Sequence, residues 1–471
     1  MFKASLVALA LGALLLVPTL STAQESEFSD MEHQPSFSEN KQQKASSDWK
    51  FDWHGYLRMP VRFHGSPLDA RPPYLVDDDY YLSGFAYTRV NETEWAEFFL
   101  NAQKDKTRLV VGLFSSKFSD WSETTLQGQG GVATAFVEHE WGLMKFKQHP
   151  LLKVGLRAGM FWERFGYINA YDTYLFGRTH AAGLALQLTL SDSWMLRGGY
   201  GAHADVINAN QGFTPVAWAR FGFAQRRLDA GLYALKTWTT DSKREFSIVE
   251  DGDLRVLGAD VRATVPYLGP IHLGVAHYKA KNVLFLANSF ELLHSTGGRG
   301  LTTNFFGPDS ESGTGEILVT SFDVNWQPWR SVGGGSAEHI LRPFSVRFFG
   351  MTAWVLSEQQ SDDPAVNRHD RHYFKWGSEL MYRPKSGALK WFFSGLRYDR
   401  VILDTDHDSL SFRMITPRIG VRPTKGMDIF VSYSKYFYGD NIRLRPNQVP
   451  GDLSVTKPDD STFKLQAQVS W

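Results

Sequence analysis

Thr462-Phe463-Lys464-Leu465-Gln466-Ala467-Gln468-Val469-Ser470-Trp471 is the stretch whose reading sets the fold class. Phe463, Leu465, Ala467, Val469 and Trp471 fall on one side of an extended chain, and Lys464, Gln466, Gln468 and Ser470 on the other. A period of two belongs to a sheet with an apolar medium on one face and water on the other. The same alternation recurs upstream. Over 151–161, Leu152, Val154, Leu156, Ala158 and Met160 oppose Lys153, Gly155, Arg157 and Gly159. Over 253–266, Leu257, Ala259, Val261, Ala263 and Val265 oppose Gly258, Asp260, Arg262 and Thr264. Over 315–327, Thr320, Phe322, Val324 and Trp326 oppose Ser321, Asp323 and Asn325.

Eighteen segments of this kind can be marked: 49–64, 82–103, 107–118, 132–142, 151–161, 180–190, 194–203, 214–226, 228–239, 253–266, 270–283, 315–327, 342–357, 372–383, 389–402, 409–422, 427–438 and 462–471. Their length, about ten residues or more, is that of a tilted strand crossing a bilayer. Connections after even-numbered segments are mostly tight, as at Asp105-Lys106, Ser191-Asp192-Ser193 and Thr424-Lys425-Gly426. Those after odd-numbered segments are mostly long, as at 65–81, 119–131, 162–179, 284–314 and 439–461. Short turns at one end, long loops at the other and an even count describe a bacterial outer-membrane barrel with both termini in the periplasm. The expected fold is therefore all-β, a transmembrane antiparallel β-barrel of about 18 strands spanning residues 48–471. Pro328 to Leu341, a long stretch on the short-turn side, could conceal one more strand pair. A soluble sandwich would also alternate, but some 450 residues exceed what one sandwich core holds.

The N-terminal region fits export. Lys3 precedes an apolar run from Leu6 to Val17, Pro18 breaks it, and Ser21-Thr22-Ala23 supplies small residues for a signal peptidase, so residues 1–23 read as a signal peptide cleaved after Ala23. Residues 24–47, rich in Glu, Ser, Gln, Asn and Lys, read as a disordered periplasmic lead. The chain carries 34 Phe, 18 Tyr, 15 Trp and 41 Gly without a run of about 18 apolar residues that would make a helical span. Lys plus Arg and Asp plus Glu are 50 each, which gives no reason to expect a nucleic-acid partner. Cysteine is absent, so strand pairing and not disulfides must hold the fold, and thiolate chemistry and Cys-ligated metals are excluded. No cofactor or metal is expected.

The final strand, ending on an aromatic residue, resembles the assembly signal by which outer-membrane barrels engage the barrel-assembly machinery, with Trp471 as its key residue. A second resemblance covers roughly residues 51–180 and the last strand. Trp53-His54-Gly55-Tyr56-Leu57-Arg58, Arg89-Val90-Asn91-Glu92-Thr93-Glu94-Trp95-Ala96-Glu97, Ser119-Asp120-Trp121, Gly159-Met160-Phe161-Trp162-Glu163-Arg164 and Ala170-Tyr171-Asp172-Thr173-Tyr174 look like the first third of the maltoporin family, in the same order. That resemblance implies a homotrimeric channel in the outer membrane that passes sugars by passive diffusion along an aromatic track. It implies that Tyr56, Trp95 and Trp121 belong to the track and that Arg58 and Glu97 are polar partners on the channel wall. It also implies that Arg164, Asp172 and Tyr174 form a constriction on an inward-folded third loop. The chain departs from that family in lacking the first-loop disulfide and in carrying Ser470 where the penultimate aromatic stands.

Read without the resemblance, Tyr56, Trp95 and Trp121 are also residues of the kind found in interfacial girdles, and Asp172 and Tyr174 could lie on a loop outside the pore. Parity favours the lumen for Tyr56, which shares a face with His54 and Arg58, and for Trp95, which shares one with Glu97. Charged residues at Arg157, Asp260, Arg262, Glu379, Arg418 and Arg422 imply a wet interior, by solvation or by inter-strand pairing. The alternative is a general porin, or one preferring carboxylates or amino acids, which should show a one-sided ladder of Arg or Lys. The whole-chain balance of charge does not favour that ladder. An enzyme at the membrane rim would need a Ser-His-acid constellation, and neither a Gly-x-Ser-x-Gly elbow nor His-Glu-x-x-His spacing is present among the 14 His.

Overall fold

The computed structural model describes residues 48–64, 76–77, 80–81, 95–116, 129–146, 149–164, 178–191, 193–203, 215–225, 227–238, 243–244, 247–248, 253–281, 314–332, 336–359, 372–402, 405, 411–438 and 461–471. Eighteen strands form one sheet. They are β1 (Lys50–His64), β2 (Trp95–Lys104), β3 (Thr107–Ser116), β4 (Gln129–Phe146), β5 (His149–Arg164) and β6 (Arg178–Leu190). There follow β7 (Trp194–His203), β8 (Pro215–Gln225), β9 (Leu228–Trp238), β10 (Asp253–Val265), β11 (Gly269–Lys281) and β12 (Thr314–Trp326). The last six are β13 (Phe344–Gln359), β14 (His372–Tyr382), β15 (Phe392–Ile402), β16 (Ser411–Thr424), β17 (Met427–Tyr438) and β18 (Ser461–Ser470). Each pairs antiparallel with its sequence neighbour, and β1 pairs with both β2 and β18, so Tyr56 faces Glu97 on one side and Ser470 on the other. The barrel is closed and leaves no sheet edge.

Alternation decides the faces. Along β9, Gly231, Tyr233, Leu235 and Thr237 are buried inside while Leu232, 62% exposed, points out. Leu257, Leu184, Leu100, Val61 and Leu196 project from the same outer surface. A soluble protein would not display such a surface, whereas lipid requires it, together with complete pairing of the backbone. Aromatic residues flank it, among them Trp194 stacked on Phe221 at 5.4 Å near the short-turn end and Tyr200 beside Trp238 at 6.4 Å toward the loop end. The chain is a multi-pass bacterial outer-membrane protein. Among the described residues no helix is long and apolar enough to cross a membrane, and the crossing is made by strands.

The tight connections use residues that tolerate positive φ: Asp105 at 52°, Ser191 at 54°, Gly387 at 84° and Gly426 at 87°. The long connection on their side holds no extra strand pair among its described residues. It forms a 3-10 turn, Pro328–Ser331, and a short helix α1, Ser336–Leu341. The Ser331 hydroxyl donates to the Tyr267 carbonyl at 2.8 Å and the Gln327 amide to the Leu268 carbonyl at 3.0 Å, so this segment rests on the neighbouring turn. The second strand begins at Trp95 where 82 was expected, and 82–94 lie outside the described residues, as do 1–47. Thus the expected signal peptide and periplasmic lead have no structural account here.

The seam is closed by Trp471. Its amide donates to the Gly55 carbonyl at 3.2 Å, and the Gly55 amide donates to the Trp471 carbonyl at 3.1 Å. The indole packs against Gly55, where a Cβ would come within 2.7 Å of the ring's Cε2.

Candidate solute path in the barrel interior

The interior of β3–β8 carries a continuous network of charge. On β3, Arg108 donates through Nη2 to Asn101 Oδ1 at 2.9 Å and through Nη1 to Glu138 Oε1 at 3.4 Å. Glu138 on β4 also accepts from Arg157 on β5, from Nη2 at 2.8 Å and from Nε at 3.2 Å. Arg157 lies 3.7 Å from Glu163 Oε2, and Glu163 accepts from Arg197 Nη2 on β7 at 2.8 Å. Three guanidinium groups therefore share two carboxylates. Arg220 on β8 sits directly across from Arg197 and is held by Asp260 on β10 through a bidentate pair at 2.8 and 2.9 Å. Two like charges in adjacent positions are tolerated because Arg220 is held by Asp260 and Arg197 by Glu163.

The contact between Arg157 and Glu163 requires a bent strand. Six residues of straight strand separate their ends by about 20 Å, too far for two side chains to bridge to 3.7 Å. Three glycines supply the bend. Gly159 pairs with Gly183, and Gly183 with Gly201, so a line without side chains crosses β5, β6 and β7. Gly159 has φ 128°, which other residues rarely adopt, and a Cβ on Gly183 would stand 2.5 Å from Gly201 Cα. Beyond this crease, Phe161, Glu163, Thr179 and Ala181 are fully enclosed. Phe161 meets the inward-facing Phe136 and Trp218 edge-on, each at 6.1 Å. The described ends of the third hairpin thus pack against inward-facing side chains of β4 and β8.

The opposite wall, β12–β17, pairs its charges within a strand, between adjacent strands and over an intervening strand. Arg347 on β13 forks onto Asp323 on β12 at 2.8 Å, Arg397 onto Asp399 of its own strand at 2.8 and 2.7 Å, and Arg418 reaches Glu379. Asp428 is shared by Arg422 at 2.9 Å and Arg383 at 3.2 Å. Of the two readings open for the interior charges, inter-strand pairing is what the side chains show for Arg157, Asp260, Glu379, Arg418 and Arg422, while Arg262 stands opposite Asp229 and His272. The guanidinium groups also cover aromatic rings: Arg157 over Phe136 at 4.6 Å, Arg397 over Phe349 at 4.9 Å, Arg383 over Phe393 at 4.9 Å and Arg418 over Phe430 at 5.3 Å. The Trp218 indole nitrogen and the Thr179 hydroxyl are buried without a hydrogen-bond partner among the described residues. Among the described residues no group of three or more His, Asp or Glu is placed to hold a metal ion.

The residues expected from sequence are distributed as follows. Tyr56, 3% exposed, and Arg58 lie in the inward row of β1, and Glu97 in that of β2. Trp95 opens β2 opposite Arg58, two residues from Glu97, and only its backbone position is described. Arg164 ends β5 opposite Arg178, again with the backbone alone described. Trp121, Asp172 and Tyr174 lie outside the described residues. The clustered residues that were not singled out beforehand are Arg108, Glu138, Arg197, Arg220 and Trp218, with Glu163 quoted only as part of a motif. Alternation marks all of them as inward, but which of them meet depends on register and on the crease.

A closed barrel of eighteen strands with a charged interior is the architecture of an outer-membrane porin. No family model and no curated protein matches the chain. Among solved structures it is similar to Acinetobacter baumannii OccAB1, at 10% identity and a TM-score of 0.44, covering 92% of this chain and 99% of that one. Pseudomonas aeruginosa OccK3 (OpdO) is similar at 9% identity and 0.43, covering 91% and 96%. The trimer form of OmpT, an outer membrane protein of Vibrio cholerae, is similar at 11% identity and 0.36, covering 90% and 99%. Identities of this size concern the fold alone.

Proposed function

We propose that this protein is a passive channel for small hydrophilic solutes with a preference for anions, small carboxylates above all. The observation that carries this reading is the cluster on the creased wall, where, among the described residues, Arg108, Arg157 and Arg197 gather around Glu138 and Glu163. A carboxylate passing that point enters the field of these guanidinium groups, whose side chains are themselves almost wholly buried, at 10%, 3% and 9% exposure. The sugar-channel reading needs open aromatic faces. Tyr56 faces inward as that reading requires, but Phe136, Phe349, Phe393 and Phe430 already carry guanidinium groups. The balance of charge over the whole chain conceals this arrangement, because the outer face and loops contribute to the total. The homotrimer, delivery by the barrel-assembly machinery through Trp471, and a filter extending to Arg164, Asp172 and Tyr174 are parts of the same proposal.

Liposome swelling tests it. Proteoliposomes should admit a small monocarboxylate faster than a neutral sugar of similar size. Faster entry of maltose and its oligomers would return the protein to the sugar-channel reading.

A further inference from the structure

The outward face of the barrel is apolar along most of its height, but on β9–β12 it changes abruptly toward the long-loop end. Leu232 and Leu257, each about three-fifths exposed, lie in the apolar band. Above them, Lys236 pairs with Arg255 and Arg255 with Lys279, so three cations stand side by side on adjacent strands. Their side chains are 46%, 61% and 61% exposed. Asp253 sits between Lys236 at 3.3 Å and Arg255 at 2.9 Å, and Glu316 between Lys279 and His277, the latter at 3.5 Å. Lys281 stands in register opposite Asp253. Trp238 lies 5.2 Å from the Lys236 ammonium.

Charge facing hydrocarbon is costly at mid-bilayer and nearly free at the interface, so this row marks headgroup level in the outer leaflet. Among the described residues cations outnumber carboxylates there, and the two carboxylates hold the cations in a line while their side chains stay about half exposed or more. We propose that this row is a docking site for the phosphate groups of a phosphorylated glycolipid of the outer leaflet, whose acyl chains run down the apolar band below. Charge complementarity at that height favours this occupant over a second barrel meeting the row with the same cationic surface. The proposal is independent of which solute the lumen passes.

The test uses the full-length folded barrel in detergent, titrated with bisphosphorylated lipid A and with the same lipid after enzymatic removal of its phosphates, binding being read by native mass spectrometry. The phosphorylated form should bind more tightly, and Arg255→Gln and Lys279→Gln should each weaken it by about fivefold, the loss expected for one cation near an anionic surface. Lys385→Gln, in a turn at the other end, should change nothing. Heat-modifiable gel mobility shows that each variant is folded. Equal binding of the two lipids by the unmodified protein would overturn the proposal without recourse to any variant. Unchanged binding by both Gln variants, or a change in oligomeric state without a change in lipid binding, would overturn it as well.

Discussion

The two walls of the lumen bring arginine and carboxylate together in different ways. Across β12–β17 two of the pairs join neighbours by register or by sequence, Asp323 with Arg347 on the next strand and Arg397 with Asp399 two residues on, and Arg418 reaches past β15 to Glu379. Regular strands are enough to make those pairs. Across β5–β7 the partners Arg157 and Glu163 lie six residues apart on one strand and meet only because Gly159, Gly183 and Gly201 form a crease. The first kind of pairing neutralises a wall. The second brings Glu163 back toward Arg157 and across to Arg197, so a backbone feature decides where these guanidinium groups gather.

Glycine substitutions separate the two walls most sharply. Gly183→Val places a side chain against the Tyr200 carbonyl and Gly201 Cα, both backbone, and should cost at least about 3 kcal/mol, so that little heat-modifiable, folded barrel is recovered. Gly395→Ala on the opposite wall meets mainly the Met381 thioether, which can move, and should cost under about 1 kcal/mol. Equal tolerance at both positions would remove the crease from the account.

Next in size is the seam. Trp471→Ala removes the ring that covers Gly55 and should reduce the yield of assembled barrel in outer-membrane fractions, while the molecules that do insert keep their conductance. Full yield would leave Trp471 as an ordinary girdle aromatic.

Removing one carboxylate from each wall sharpens the comparison further. Glu163→Gln withdraws the anion shared by Arg157 and Arg197, and should strengthen attraction of a permeating anion by about 1 kcal/mol, roughly fivefold in permeability ratio. Asp399→Asn affects a carboxylate paired with the neighbouring Arg397 and should shift the ratio less. The reverse order would place the filter on the regular wall.

The smallest effect is expected at the residue that the maltoporin resemblance ranked among the first. Trp95→Ala should change block of the ion current by sugars by less than about 1 kcal/mol, the scale of a single aromatic contact. A larger loss of block would favour the sugar track.

The strand framework was legible because a barrel writes its fold in the simplest periodicity there is. The segments expected at 194–203 and 427–438 coincide with β7 and β17, and most others agree within a few residues. Boundaries drifted where a turn carries apolar residues: Leu389, Lys390 and Trp391 were read as strand but form a hydrogen-bonded turn, with the Phe392 amide on the Leu389 carbonyl at 2.9 Å. The site was less legible. Alternation places Arg157, Phe161 and Glu163 on one face, but a sequence with no register cannot show that Gly159, Gly183 and Gly201 align, and without that alignment Glu163 appears about 20 Å from its partner. The charge count over the whole chain does not resolve the lumen, since the selectivity of a channel depends on the groups its lumen gathers.

The zero-current potential of the purified channel in a planar bilayer under a potassium chloride gradient, compared between the unmodified protein and Arg157→Gln/Arg197→Gln, addresses the arginine filter without further assumptions. The unmodified channel should prefer chloride, and the double variant should lose that preference and move toward potassium. A cation-preferring or unselective unmodified channel, or a double variant with an unchanged potential, would contradict the assignment of the creased wall as an anion filter.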